Sequence, residues 1–244
     1  MVKVIGHRGA SEDAPENTLS SVEESFKQGS DGVEIDIRLT KDNHVVCIHD
    51  KNSLRTSGEL LIISETKLNV LKKLDVGSWK SKKWKNERIP LLEEVLKVIP
   101  DKKEIFIEVK TGTEIIEPLI NTLNKSNINL RDVSIISFNR EVIKKIKSRM
   151  NEITGNLLIA FDPEVNLEQG LGDLLKDINA DGVGAQNHQN LNRGLVNEVH
   201  NLRKKIHVWT VNESEEANKF ELMGVNSITT NRPKLIKKSL NITK

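Results

Sequence analysis

Val33-Glu34-Ile35-Asp36-Ile37-Arg38 sets apolar and charged residues in strict alternation. Side chains alternate faces along a β-strand, so Val33, Ile35 and Ile37 share one face and Glu34, Asp36 and Arg38 the other. Three charges in a row on one face are costly to bury unless something compensates them. Residues two apart lie about 6.6 Å apart at Cα, from a rise of ~3.3 Å each. Two carboxylates at that spacing can grip one hard cation. The plainer reading is a solvated face of a half-exposed strand. Glu108 and Lys110, alternating with Ile107 and Val109, repeat the pattern further along the chain. Glu34, Asp36 and Glu108 then offer oxygen ligands with no thiolate, a set that suits Mg²⁺, Ca²⁺ or Mn²⁺. Zinc more often recruits His or Cys. The competing account is an ion-pair network with Arg38, Arg8 and Lys110.

Two of the six histidines, His7 and His49, stand at strand ends beside Arg8 and Asp50. Such a pair can act as general acid and general base near neutral pH. His44, His188, His200 and His207 read instead as turn, loop, helix or core positions. Arg8 and Lys110 together can hold an anion, most naturally a phosphate. A metal, two cations and two imidazoles point to metal-assisted attack on a phosphoester. Cys47, two residues before His49, reads as core filling rather than as a nucleophile. Trp79 and Trp84 stand among four lysines, Lys80, Lys82, Lys83 and Lys85. That stretch could touch anionic headgroups, but without an amphipathic stripe it reads as packed Trp and solvated Lys.

These residues need a frame, and the pattern of elements supplies one. Strands are expected at Val2–Gly6, Asp31–Leu39, Glu104–Val109, Val133–Ser137, Leu157–Phe161, Gly182–Ala185, His207–Val211 and Ser227–Thr230. Helices are expected at Asn17–Gln28, Leu91–Val98, Glu114–Asn124, Arg140–Met150, around Leu167–Lys176, Asn192–Lys204, Glu213–Leu222 and Pro233–Leu240. A short run, His44–His49, reads as an antiparallel extension of the second strand. Residues 51–88 look like an insertion, with a helix over Glu65–Leu74. About eight strand–helix units predict a (β/α)₈ TIM barrel with this small insertion after the second strand, spanning 1–244 as one domain. A doubly wound sheet is the alternative, but no G-x-G-x-x-G follows the first strand. In a barrel, chemistry sits at the C-terminal ends of the strands. His7, Arg8, Glu34, Asp36, His49, Glu108, Lys110, Phe138 and Trp209 all fall at or near that end.

The 244 residues suffice for one large barrel or two small domains. With 37 basic against 35 acidic residues, nothing marks a nucleic-acid binder. Aromatics make up 3% and Tyr is absent, so there is little surface for stacking bases. One cysteine excludes an internal disulfide and a thiolate zinc cluster, and fits a reducing compartment. The N-terminal residues lack a signal-peptide core, and no apolar run approaches a membrane span. The expectation is a soluble, cytoplasmic protein with no stable membrane insertion. Its oligomeric state is not written in the sequence.

Several stretches, in order, resemble the glycerophosphodiester phosphodiesterases: His7-Arg8-Gly9-Ala10, Pro15-Glu16-Asn17-Thr18, Gly32 to Ile37, Val46 to Asp50, Leu54-Arg55-Thr56, Ile89 to Leu96, Ile107 to Lys110, Ser137-Phe138 and Val208 to Asn212. Any one is weak; the ordered set is specific. The resemblance implies a barrel with an insertion near residues 51–88. It implies Glu34, Asp36 and Glu108 as ligands of a divalent metal, Mg²⁺ or Ca²⁺ with Mn²⁺ a further candidate. His7 and His49 would be the acid/base pair. Arg8 and Lys110 would hold the phosphate, and Phe138 and Trp209 would line the pocket. The implied reaction converts a glycerophosphodiester, a small-molecule substrate, to sn-glycerol 3-phosphate and an alcohol. Asp is expected where Thr230-Asn231-Arg232-Pro233 has Asn, a difference expected to touch only fine substrate contacts. The rival readings are a lysophospholipase D-like enzyme on lysophospholipid or sphingolipid headgroups, and a catalytically inactive binding module.

Overall fold

A computed structural model describes residues 2–161 and 170–242. Eight parallel strands close into a barrel: β1 (Lys3–His7), β2 (Gly32–Leu39), β4 (Glu104–Val109), β5 (Val133–Ser137), β6 (Thr154–Ile159), β7 (Gly182–Gln186), β8 (Lys205–Trp209) and β9 (Ser227–Thr230). β1 pairs with both β2 and β9, which closes the ring. β3 (Val45–Cys47) lies antiparallel on β2, opposite Ile37–Leu39.

Helices follow the strands and cover the outside. They are α1 (Leu19–Lys27), α2 (Leu54–Ser57), α3 (Leu68–Leu71), α4 (Leu92–Leu96), α5 (Ile116–Lys125), α6 (Arg140–Arg149), α7 (Leu171–Asp177), α8 (Arg193–Asn201), α9 (Ser214–Met223) and α10 (Pro233–Ile242). The architecture is the (β/α)₈ barrel that the strand–helix alternation predicts. No helix among the described residues is long and apolar enough to cross a membrane.

Boundaries differ in places. β6 and β8 begin earlier than Leu157 and His207, because their first residues are polar and read as loop. The helix expected over Glu65–Leu74 is a 3₁₀ turn at Ile63–Glu65 followed by the single turn α3. The helix expected around Leu167–Lys176 is found at Leu171–Asp177, and the start of that expectation lies outside the described residues.

Three apolar clusters hold the frame. The largest lies between the strands' outer faces and the helices, with Val33, Ile35 and Ile37 fully buried in it. A second, with Ile63, Leu71, Leu74, Val76 and Ile89, packs residues 51–88 onto Val46 and Ile48. The third plugs the barrel: Ile5, Phe106, Ile136 and Leu158, with Trp209 above them. Each such buried side chain contributes about 1.5–3 kcal/mol relative to exposure. The inward face of β2 is charged from Glu34, which lies beside Phe106 of this plug, onward through Asp36 and Arg38.

Candidate active site

Register explains how the carboxylates meet. β2 and β4 run parallel with Asp36 beside Glu108, and β1 sets His7 beside Glu34. Neighbouring strands lie about 4.8 Å apart, so two strands suffice to gather three carboxyl groups. Glu34, Asp36 and Glu108 each present an oxygen within 4.8 Å of the other two. Glu34 and Asp36 are buried, at 3% and 0% exposure. Glu34 Oε1 and Asp36 Oδ1 are buried with no hydrogen-bond partner. Two orphaned carboxylate oxygens in an all-oxygen cluster are the donor set a hard divalent cation takes, so the residues fit such an ion.

The electrostatics agree. Burial, together with repulsion from Asp36 and Glu108, pushes the Glu34 carboxyl well above the usual carboxylate range. Burial and Asp36 likewise raise Glu108, against the pull of Lys110. Burial also opposes ionisation of Asp36, but Arg8, Lys110 and His49, with a hydrogen bond from Asn17, outweigh it and hold Asp36 low. Three carboxyls thus share one space with too little positive charge to ionise them all.

The cations of the competing ion-pair account are partly there. Arg8 Nε lies 3.1 Å from Asp36 Oδ2, and Lys110 Nζ lies 2.7 Å from Glu108 Oε1 and 3.7 Å from Asp36 Oδ1. Arg38, however, donates from Nε to the His49 carbonyl at 2.9 Å, so it props the loop after β3.

The turn after β1 is built for this placement. Arg8 and Gly9 both have positive φ, 53° and 83°. A Cβ at Gly9 would lie 2.4 Å from the Ser21 backbone, so only glycine fits. The left-handed Arg8 is an unusual state for a side-chain-bearing residue, one that clusters at functional sites. It aims the Arg8 N–H at Glu34 Oε2, 3.0 Å away. Asn17, also left-handed at φ 58°, donates to Asp36 Oδ2 and accepts from the Asp36 N–H, at 2.8 and 3.0 Å.

The two imidazoles have different partners. His7 Nδ1 lies 2.6 Å from the Asn231 side-chain oxygen, just beyond β9. That acceptor keeps the proton on Nδ1 and leaves the Nε2 lone pair, 3.9 Å from Glu34 Oε2, directed into the cluster. Burial and then Arg8 lower His7 from 6.5 to about 4. His49 Nδ1 instead donates to the Asp50 carboxylate at 2.7 Å. Asp50 is held in turn by Arg55 Nε at 2.7 Å, and the rest of the Arg55 guanidinium grips both oxygens of Glu16 at 2.7 Å. Glu16 accepts from Arg8 at 2.9 Å. A continuous chain of hydrogen bonds therefore runs from His49 through Asp50, Arg55 and Glu16 to Arg8.

Phe138 and Trp209 meet edge to face with ring centroids 5.6 Å apart. The Trp209 indole donates to the Gly184 carbonyl at 2.9 Å, which leaves Phe138 half-exposed at the rim. Cys47 is 2% exposed and burial pushes its thiol far above the ordinary value, so it packs as a core residue. His207 is likewise core. Sequence reasoning assigns no role to Glu16, Asn17, Asp50 or Arg55, and expects only fine substrate contacts of Asn231. The contacts that join distant residues, Arg55 with Glu16 and His7 with Asn231, leave no local pattern in the sequence.

Residues 7–235 match the model of the glycerophosphoryl diester phosphodiesterase family. Among relatives, the YhdW protein of Bacillus subtilis is 32% identical over 238 residues, covering 96% of each chain. A glycerophosphodiester phosphodiesterase of Caldanaerobacter subterraneus subsp. tengcongensis is 32% identical over 238 residues, covering 96% of this chain and 95% of its own. Among solved structures, a phosphodiesterase of Oleispira antarctica in complex with the product sn-glycerol-3-phosphate superposes with a TM-score of 0.87 at 28% identity, covering 98% of this chain and 96% of its own.

Proposed function

Because the chain belongs to the glycerophosphoryl diester phosphodiesterase family, we propose that this enzyme is metal-dependent and cleaves glycerophosphodiesters to sn-glycerol 3-phosphate and an alcohol by acid–base catalysis from His7 and His49. The observation that carries the reading is the convergence of three carboxyl oxygens within 4.8 Å, two of the groups bearing buried oxygens with no hydrogen bond, beside two differently partnered imidazoles. The product named with the Oleispira antarctica structure supports the same substrate class here.

Glu34, Asp36 and Glu108 would hold the divalent cation, Mg²⁺ or Ca²⁺ with Mn²⁺ a further candidate. When bound, such an ion neutralises the phosphodiester oxygens and makes a nearby hydroxyl more acidic. Arg8 and Lys110 bind the phosphate from the sides of the cluster. His7, kept neutral by burial and then by Arg8, takes the proton of the attacking oxygen at Nε2. That oxygen belongs to the glycerol 2-hydroxyl or to water. As the new P–O bond forms, the P–O bond to the departing alcohol breaks. His49, whose ring the Asp50 carboxylate orients through Nδ1, gives its Nε2 proton to the leaving alkoxide. If the 2-hydroxyl attacks, a cyclic phosphate forms and water opens it with the two roles exchanged. Phe138 and Trp209 make an apolar wall for the substrate's carbon skeleton. The half-exposed Phe138 also favours a second reading, in which the alcohol or diester carries a longer apolar group, as in lysophospholipids.

The test is an assay of glycerophosphocholine, glycerophosphoethanolamine and lysophosphatidylcholine with Mg²⁺, Ca²⁺ and Mn²⁺ in turn. Release of glycerol 3-phosphate, lost on chelation, is expected from the first two. Phosphocholine as product, or full activity after exhaustive chelation, sinks the reading. His7→Ala and His49→Ala should each lower kcat by about 10²–10⁴ with the fold retained.

A further inference from the structure

Charge is unevenly distributed along this chain. Of its 37 Lys and Arg and 35 Asp and Glu, ten and four respectively fall in residues 51–88, so that stretch is +6 and the remainder is −4. Lys51, Lys67, Lys73, Lys82, Lys83 and Lys85 are all exposed. The same stretch exposes large apolar side chains: Leu54 (50%), Leu60 (64%), Ile62 (42%), Val70 and Trp79.

The first three sit together on one hairpin. Asn52 pairs with Ile62, and Ser53 receives the turn, its N–H donating to the Leu61 carbonyl at 3.1 Å and its hydroxyl to the Glu59 carbonyl at 2.6 Å. Arg55, between Leu54 and Thr56, ties the hairpin to Asp50 and Glu16 beside the catalytic histidine. The aliphatic tip is therefore held rigidly at the rim of the active site, where water gains nothing from it.

We propose that residues 51–88 form a docking surface for an anionic lipid bilayer, with Leu54, Leu60 and Ile62 entering the headgroup boundary and the exposed lysines of the stretch, in excess over its exposed Glu59 and Glu65, meeting acidic headgroups. Exposed apolar side chains and a surplus of exposed lysines within one stretch are the composition that interfacial binding requires. A second copy of the chain is the poorer occupant, since a two-fold contact would press two +6 surfaces together. Docking of this kind would set the active-site rim against the surface from which glycerophosphodiester headgroups derive.

Cosedimentation of the full chain with vesicles tests this, using phosphatidylcholine alone and phosphatidylcholine mixed with phosphatidylglycerol. Binding is read without turnover, so its failure is distinct from failure of the phosphodiesterase reading. The chain should pellet with the anionic vesicles only, and about 0.5 M salt should release most of it. The variant Leu54→Ser/Leu60→Ser/Ile62→Ser should bind about tenfold or more weakly. Lys51→Glu/Lys67→Glu/Lys73→Glu should do the same through charge. Both should keep the wild-type circular dichroism and turnover of a water-soluble glycerophosphodiester. The proposal is overturned by absence of binding to anionic vesicles at low salt or by equal binding to neutral ones. It is also overturned if both variants bind like wild type, or if a wild-type dimer is dispersed by the serine variant.

Discussion

At the scale of single residues, the informative contrast is between the anchors of the two histidines. Asn231 gives His7 a neutral acceptor, whereas Asp50 gives His49 a charge. The sequence made Asn231 visible only as a departure expected to affect fine contacts; the fold puts it on the imidazole itself. Asn231→Asp would set a carboxylate 2.6 Å from His7 Nδ1 and favour the protonated ring. The acid limb of kcat/KM should therefore move to higher pH, by about one unit, in a pH–rate profile. An unmoved limb would deny His7 the part of base. Asp50→Asn should act on the other side, lowering kcat by about 10²-fold or more through loss of the carboxylate that orients the His49 ring, with little change in KM. Glu34, Asp36 and Glu108 were legible because alternation along a strand is a local property. Arg55 and Glu16, 39 residues apart, were not, because no local pattern announces a partner that the fold brings in from elsewhere.

At the scale of elements, β4, β5 and β9 lie where sequence reading put them, since apolar runs flanked by charge or turn residues mark both ends. β6 and β8 were displaced by polar starts, and the structure shows why such residues are tolerated. The lower barrel is lined by Ser134, Asn156, His207 and Ser227, all buried. His207 stacks on Phe106 at 4.8 Å, its Nδ1 lies 2.7 Å from the Ser227 hydroxyl, and its Nε2 meets the Thr229 hydroxyl. Burial, then the charge of His7, lowers it from 6.5 to about 3. The folded state thus holds the neutral ring, and an unfolded chain takes up the proton first. This contribution is fully present above pH ~6.5 and is lost progressively as the pH falls toward about 3. Its full size is a few kcal/mol. His207→Gln should be less stable at pH 7 but lose less on acidification, as urea midpoints at pH 7, 5.5 and 4.5 would show. Parallel slopes for the two proteins would remove His207 from the acid response.

At the scale of the whole molecule, the carboxyl cluster links ligand binding to stability. A cation that binds only the folded barrel, at about a hundred times its Kd, adds ~2.7 kcal/mol. For a chain of this size that is a rise in Tm of roughly 5–10 °C. Calorimetry with Mg²⁺ or Ca²⁺ against EDTA should show it, and Glu108→Gln should abolish most of it; an ion-independent Tm would speak for the ion-pair account instead. The ring itself carries one further implication, about time. Glu34, Asp36 and Glu108 are all added in the first half of synthesis, yet β1 pairs with β9 across 224 residues, Lys3 to Ser227, and His7 with Asn231 across as many. A nascent chain halted before β9 would already hold its acidic trio but would lack the Asn231 partner of His7, so the His7 side of the cluster is the last part of it to be completed.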